Sequence, residues 1–503
     1  MGTLLAMKAP TMRELATEKG PVVSVQNGQL RGARLNGVVS FKGVPYAANP
    51  FTARTRFKAP RAVTAWDGVR DAMEFRRPPP QPGRDTLPTL LGGFDDLTLN
   101  IWTPDTAATG LPVMVWIPGG AFIRADASEA VYDGTGFAAD GVVCVTVNYR
   151  VGVDGFMAIE GAPDNRGILD QIAALEWVRD NIAAFGGDPV NVTLFGQSAG
   201  AESVGILLAS PRTEGLFGRA ILQSPPMQSV TAQEATRLAK TLAGMLRIRP
   251  TIADLSNVSL EALTSAAVGL NMAIKDRTTW GRLSLGGTAF LPVVDGVVLD
   301  ASPLAMLARD PKPGVPVIVG STDQEARLYL IPDGEIDRIT TAVVDQFVAD
   351  LKLPADTIEL YRQNPANSTI GDVYSAMQSD YTFRVPALRI AEDRSRTGAA
   401  WHYNFAWKSP AFGGRLGAAH FVDVPFAFKM LASDQARTFV GDDPPATLAD
   451  GMHMAWVAFA KTGGPGWPAY NCSERVTMRF DSQSDILMDP ERSTRLIWQD
   501  IKL

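Results

Sequence analysis

The five residues Gly196-Gln197-Ser198-Ala199-Gly200 constrain this chain more than any other stretch of it. A β-rich run, Val192-Thr193-Leu194-Phe195, precedes them, and an alanine-rich stretch able to begin a helix follows. A serine between small residues at a strand-to-helix switch predicts a sharp turn that lifts the hydroxyl above a sheet edge. The glycines are a steric need, because a Cβ at either position would strike neighbouring backbone. The same turn aims the Ala199 N–H, at the positive end of the new helix, toward developing negative charge. With 46 glycines in 503 residues, the pentapeptide alone also arises by chance, so its surroundings must carry the argument.

The surroundings read as alternating strands and helices. Val113-Met114-Val115-Trp116-Ile117 is a continuous apolar strand ending at Pro118-Gly119-Gly120, and Gly141 to Val147 is another. Asp170 to Phe185 reads as a helix, with Ile172, Leu175, Val178, Ile182 and Phe185 on one face and Gly186-Gly187 as its stop. Further strands are expected at the turn itself, at 220–223, at 315–319 and at 400–406. The pattern predicts an α/β fold of the α/β-hydrolase type, a mostly parallel central sheet flanked by helices. Helix-rich segments at roughly 228–280 and 335–397 are expected as cap insertions over the site. No linker, charge block or repeat divides the chain, so residues 1–503 are expected to form one domain.

Net charge of −6 and a pI near 5.3, with basic and acidic residues interspersed, argue against a nucleic-acid partner. Two cysteines, Cys144 and Cys472, cannot build a disulfide framework and suit a reducing compartment. The N-terminus, Met1 to Gly20, shows no secretory apolar core, since Leu4-Leu5-Ala6-Met7 is interrupted at Lys8. No apolar run approaches the ~18 residues that cross a bilayer. The expectation is a cytoplasmic protein, a monomer or weak homo-oligomer without membrane contact.

A serine hydroxyl is too weak an acid to attack a carbonyl unaided; it needs an imidazole base and a carboxylate that orients the imidazole. The chain has three histidines. His402 lies in an alternating strand and His453 in an amphipathic helix, both ordinary packed positions. His420 follows the flexible Gly413-Gly414-Arg415-Leu416-Gly417 loop beyond a strand, with Asp423 and Pro425 next, where a base must sit. The carboxylate belongs between serine and histidine in chain order. There Gly320-Ser321-Thr322-Asp323-Gln324-Glu325 follows a strand, and on residue type both Asp323 and Glu325 qualify. Gly119-Gly120-Ala121-Phe122 is the glycine-rich turn able to supply oxyanion donors.

At this point the chain resembles the type-B carboxylesterases, the family of bacterial p-nitrobenzyl esterases, animal carboxylesterases and cholinesterases. The resemblance runs from about Val22 to Trp467 and includes Phe41-Lys42-Gly43-Val44-Pro45-Tyr46-Ala47, Leu99-Asn100-Ile101-Trp102-Thr103-Pro104, Asn148-Tyr149-Arg150 and Phe185-Gly186-Gly187-Asp188-Pro189. It implies Ser198 as nucleophile, His420 as base and Glu325, rather than Asp323, as triad acid. It implies Gly120, Ala121 and Ala199 as oxyanion donors, and Ser224 as a buried hydroxyl supporting the Glu–His pair. No cofactor or metal is implied, and the partner is a small-molecule ester. Gly-Gly-Ala-Phe is similar to the GGG(A)X class, which implies tolerance of bulky alcohols. The family's early disulfide cannot form here, and the aromatic choline-binding floor is absent, since no tryptophan occurs between Asp67 and Ile101.

The leading expectation is a serine ester hydrolase working through an acyl-enzyme. A non-catalytic binding relative is the alternative from another class, but the full set of catalytic residue types speaks against it. Carbamates, lactones, amides, polyesters and mycotoxin esters would use the same machinery. Gly134-Thr135-Gly136-Phe137-Ala138-Ala139 imitates a dinucleotide fingerprint without following a strand. Arg150 with Asp170 reads as a structural ion pair, Arg124 as a solvated rim residue or a contact for an acidic substrate, and Glu202 as a field-tuning or helix-favouring carboxylate.

Overall fold

The computed structural model describes residues 18–83, 90–93, 95–309 and 312–503. Residues 1–17, most of the stretch expected to lack a leader, lie outside them. Among the described residues the strands of the main sheet are β1 (Glu18–Val25), β2 (Gly28–Leu35), β3 (Val38–Ala47), β4 (Val69–Asp71), β5 (Leu97–Thr103), β6 (Leu111–Ile117), β7 (Val143–Val147), β8 (Gly187–Gln197), β9 (Arg219–Gln223), β10 (Val317–Thr322), β11 (Ala400–Phe405), β12 (Val476–Phe480) and β13 (Asp485–Met488). Their order is β1-β2-β3-β5-β7-β6-β8-β9-β10-β11-β12-β13, with β4 paired to β2. Neighbours from β7 across to β12 run parallel. The flanking pairs β3–β5, β5–β7 and β12–β13 are antiparallel.

The longer helices are α1 (Arg166–Asn181), α2 (Ala199–Ala209), α3 (Ala232–Met245), α4 (Leu260–Ala273), α5 (Thr341–Leu351), α6 (Ile370–Ser379), α7 (Val385–Arg394) and α8 (Ala446–Thr462). Sheet strands buried on both faces are largely apolar, as β6 and β7 are, because helices cover each side; the one polar side chain of β7, Thr146, gives its hydroxyl to the Ala127 carbonyl at 2.9 Å. One core layer gathers Val115, Ile117, Val145, Leu194 and Leu222 with α1 and α2. The other gathers Met114, Trp116, Cys144, Phe195 and Ile221 with α8. In the second layer Trp116 packs on Phe195 at 4.8 Å between ring centroids, fixing β6 against β8 beneath the site.

Helix α1 begins four residues before the apolar period suggests. Its first residue, Arg166, is fully buried, and its guanidinium donates to the carbonyls of Val153, Asp154, Met157 and Pro163. Hydrogen bonds to loop carbonyls 3 to 13 residues earlier, invisible to periodicity, set that end. At the other end a tighter 3₁₀ turn, Ile182–Phe185, carries the chain to Gly186 at φ 86°. Strand β10 likewise runs past 319 to Thr322, whose N–H is claimed by the Glu325 carboxylate. Arg150 and Asp170, both fully buried, form a bidentate ion pair at 2.7 and 2.8 Å that ties the loop after β7 to α1.

The chain turns from β6 to its neighbour β7 on one side, and from β8 to β9 on the other. Open parallel sheets bind ligands where successive connections diverge in this way, at the carboxyl ends of the strands. The crevice between the ends of β6 and β8 is that point.

Candidate active site

Ser198 sits at the end of β8 with φ 58° and ψ −128°, a strained backbone that costs about 1–3 kcal/mol and persists only where its surroundings enforce it. The surroundings are close. A Cβ on Gly200 would fall 2.0 Å from the Ile117 carbonyl oxygen, and one on Gly196 would fall 2.6 Å from the Gly200 carbonyl carbon. The Ser198 N–H donates to the Gln223 carbonyl at 2.9 Å, and the Ser198 carbonyl accepts the Glu202 N–H at 2.9 Å. Helix α2 therefore starts directly on the end of β6.

The turn after β6 presses against this bend. A Cβ on Gly119 would lie 2.5 Å from the Gln197 carbonyl oxygen and 3.1 Å from the Ser198 Cβ. Gly120, Ala121 and Phe122 all have positive φ, at 121°, 54° and 57°. Among the described residues the N–H groups of Gly120 and Ala121 donate to no protein acceptor. The Ala121 carbonyl is pinned instead, accepting the Thr288 hydroxyl at 3.0 Å. Ala199 is the first residue of α2, where a helix leaves its N–H groups unsatisfied.

Two further loops leave the same edge, after β10 and β11. Glu325 is fully buried; its Oε1 accepts the Thr322 N–H at 2.7 Å and its Oε2 lies 2.5 Å from Nδ1 of His420. The loops are zipped together, since Gln324 N–H donates to the Ala418 carbonyl at 2.8 Å and Ala418 N–H to Gln324 Oε1 at 3.1 Å. Asp323 points elsewhere, toward Arg479 at 3.6 Å. Between the two acidic residues left open by residue type, the contact to the imidazole belongs to Glu325.

With Nδ1–H donating to the carboxylate, Nε2 carries the ring's lone pair. The Gln197 side-chain amide reaches that nitrogen at 2.9 Å and donates to it. Among the described residues no hydrogen bond joins Ser198 Oγ to His420. Glu325 and His420 are thus coupled, while the imidazole's free nitrogen is engaged by the residue just before the serine. Tyr329 and Phe383 flank the ring at 5.7 and 4.4 Å between centroids.

The other histidines are structural. His402 is buried in β11 with Nδ1 3.1 Å from the Thr477 hydroxyl, and burial lowers its pKa to about 3. His453 bridges the Ala427 carbonyl at 2.8 Å and Asp140 at 3.1 Å. Ser224 corrects an expectation. It is buried and its N–H donates to the Gly320 carbonyl, but among the described residues its hydroxyl has no hydrogen-bond partner and so makes no hydrogen bond to the Glu–His pair. Thr322 and His420 already occupy the two Glu325 oxygens. Arg124 is no solvated rim residue, since it donates to the Gly83 carbonyl at 2.6 Å.

Sequence reasoning passed over two residues. Gln197 was named only as part of the pentapeptide, with no role of its own. Asp423 was noted only as a neighbour of His420, yet it is fully buried and accepts from Gln223 Nε2 at 2.9 Å and Tyr403 O–H at 3.1 Å. Burial pushes the Asp423 carboxyl up to about 6; the Gln223 hydrogen bond opposes this and the nearby Glu325 charge adds to it. An acidic residue one helical turn after the histidine was the signal available.

A cavity of about 340 Å³ opens over Ser198, lined by Ala121, Phe122, Ala199, Glu202, Tyr329 and Phe383 among others. A larger polar cavity of about 520 Å³ lies behind the acid turn, beside Asp323 and Arg384, and does not reach Ser198. Among the described residues no helix is long and apolar enough to cross a membrane, and no cluster of three metal-ligating side chains occurs.

Residues 19–494 match the carboxylesterase family. The chain belongs to that family. It is 36% identical to the para-nitrobenzyl esterase of Bacillus subtilis over 94% of this chain and 97% of that one. It is 33% identical to the phenmedipham hydrolase of Pseudarthrobacter oxydans, with the same coverage of both chains, 94% and 97%. Among solved structures, a carboxylesterase of Geobacillus stearothermophilus superposes with a TM-score of 0.85 at 34% identity, covering 95% of this chain and all of that one. A thermophilic p-nitrobenzyl esterase superposes at 0.83 with 35% identity, covering 94% and 99%. This carboxylesterase is a carboxylic ester hydrolase of the α/β-hydrolase fold, and its substrate is a small-molecule ester.

Proposed function

We propose that Ser198 attacks the ester carbonyl, that His420 takes its proton and returns it to the leaving alcohol, and that Glu325 holds the imidazole in the required tautomer. The observation that carries this is the 2.5 Å contact between Glu325 and His420 Nδ1 beside a serine forced into positive φ. For the proton to move, His420 Nε2 must exchange the Gln197 amide for the Ser198 hydroxyl. The unsatisfied N–H groups of Gly120 and Ala121, with that of Ala199, would meet the oxyanion, each worth ~3 kcal/mol of barrier. Water then clears the acyl-enzyme by the same relay.

The exposed, small Gly120-Ala121 turn leaves room for bulky alcohols, and Gly286-Gly287, beside Gln228 on the cavity wall, leave the acyl side open. The helical segments around α3–α4 and α5–α6 serve as the cap: Gln228 and Lys275 from the first, and Tyr374, Gln378 and Phe383 from the second, line the cavity. The test is Ser198→Ala with p-nitrophenyl acetate as substrate. Turnover should fall to the background rate while the far-ultraviolet circular dichroism is unchanged. A folded variant that still turns over would remove Ser198 from the mechanism.

A further inference from the structure

Glu202 occupies the fifth position counted from Ser198, one turn along α2, and lines the same cavity. Its side chain is completely buried, and among the described residues both carboxyl oxygens lack a hydrogen-bond partner. Buried polar groups are almost always paired, and an unpaired buried carboxyl costs several kcal/mol if ionised. The Gln228 main-chain amide lies near enough to favour the charged form but completes no hydrogen bond, and burial outweighs it, pushing the carboxyl well above the usual range. The nearby Tyr149 gives its hydroxyl to the Pro118 carbonyl at 2.7 Å, not to Glu202. The other charged residues lining the cavity, Lys275 and Glu335, are exposed and opposite in sign.

We propose that Glu202 recognises a protonated amine carried on the acyl part of the substrate. The proposal deepens the esterase reading and rests on it. The leaving alcohol must lie on the side of His420, which protonates it, and that imidazole is surrounded by Gln197, Glu325, Tyr329 and Phe383. The neighbours of Glu202 are a different set, Tyr149 and Gln228, so its carboxyl faces the part of the ester that stays on Ser198. Burial disfavours the charged carboxylate. An ammonium brought against it supplies the missing counter-charge and hydrogen-bond donors.

The experiment compares benzyl 3-aminopropanoate with benzyl butanoate, which match in chain length and differ in the terminal ammonium. kcat/KM for each is measured at pH 7 with the wild type, Glu202→Gln and Glu202→Met. The wild type should prefer the amino ester, and the preference should fall by about 10- to 100-fold in Glu202→Met, with Glu202→Gln between. A wild type that favours the butanoate, or a ratio unchanged in folded variants, overturns the proposal. Should the variants not fold, the wild-type ratio alone decides. p-Nitrophenyl acetate separates the two readings: if the wild type cleaves it without preferring the amino ester, only the role of Glu202 falls. If it cleaves neither, the esterase reading falls and this one with it.

Discussion

Gln197 is the residue whose chemistry most affects how this site works. Its neutral amide donates to the unprotonated His420 Nε2, so it competes with the Ser198 hydroxyl without altering the charge of the site. A carboxylate at the same place would favour the imidazolium, the form unable to act as base. Gln197→Glu should therefore move the acid limb of the kcat/KM profile to higher pH, while the alkaline limb stays in place. A pH–rate profile from pH 5 to 9 checks this, and an unmoved acid limb would mean that the Gln197 side chain is away from the ring in the working enzyme. The residue scale also shows where the sequence was readable. Glu325 could be told from Asp323 by resemblance, but in physical terms only by position: two residues of shift turn the carboxyl from His420 to Arg479.

At the scale of elements, the decisive contact is between the end of β6 and the start of α2. The glycines around Ser198 were legible as a steric need, and the structure supplies its magnitude. A methyl group on Gly200 would sit 2.0 Å from the Ile117 carbonyl oxygen, a backbone atom that cannot rotate away. Gly200→Ala should force α2 off β6, losing activity together with stability; a urea-unfolding midpoint equal to wild type would contradict that packing. Interior strands were legible because runs such as Val113 to Ile117 have no polar face. Boundaries were not, because Arg166 is held by carbonyls of the irregular loop before it and Thr322 by a carboxylate in the turn after it, neither of which has an apolar period.

Across the whole molecule, buried ionisable groups make stability depend on pH. His402 is neutral in the fold because burial, and next the charge of Arg384, lower its pKa to about 3. The unfolded chain has an ordinary imidazole near 6.5 and so binds more protons between these values. Stability from this group is therefore full above about 6.5 and is lost as pH falls toward about 3. His402→Gln removes the titration, so the difference in unfolding free energy between variant and wild type should shift in the variant's favour on acidification through that window. Urea titrations at pH 7 and pH 4.5 read it. A difference that does not change with pH would place the titration elsewhere.

The sequence by itself determined the nature of the sheet, the bend at Ser198 and the chemical types of the site, because those follow from local apolar period, glycine sterics and residue chemistry. Tertiary structure alone decided which carboxylate meets the imidazole, that Gln197 holds its far nitrogen, and that Ser224 stands apart. Those outcomes depend on loops from β8, β10 and β11 converging over gaps of many residues, where differences of an ångström choose the partner and no local pattern encodes them.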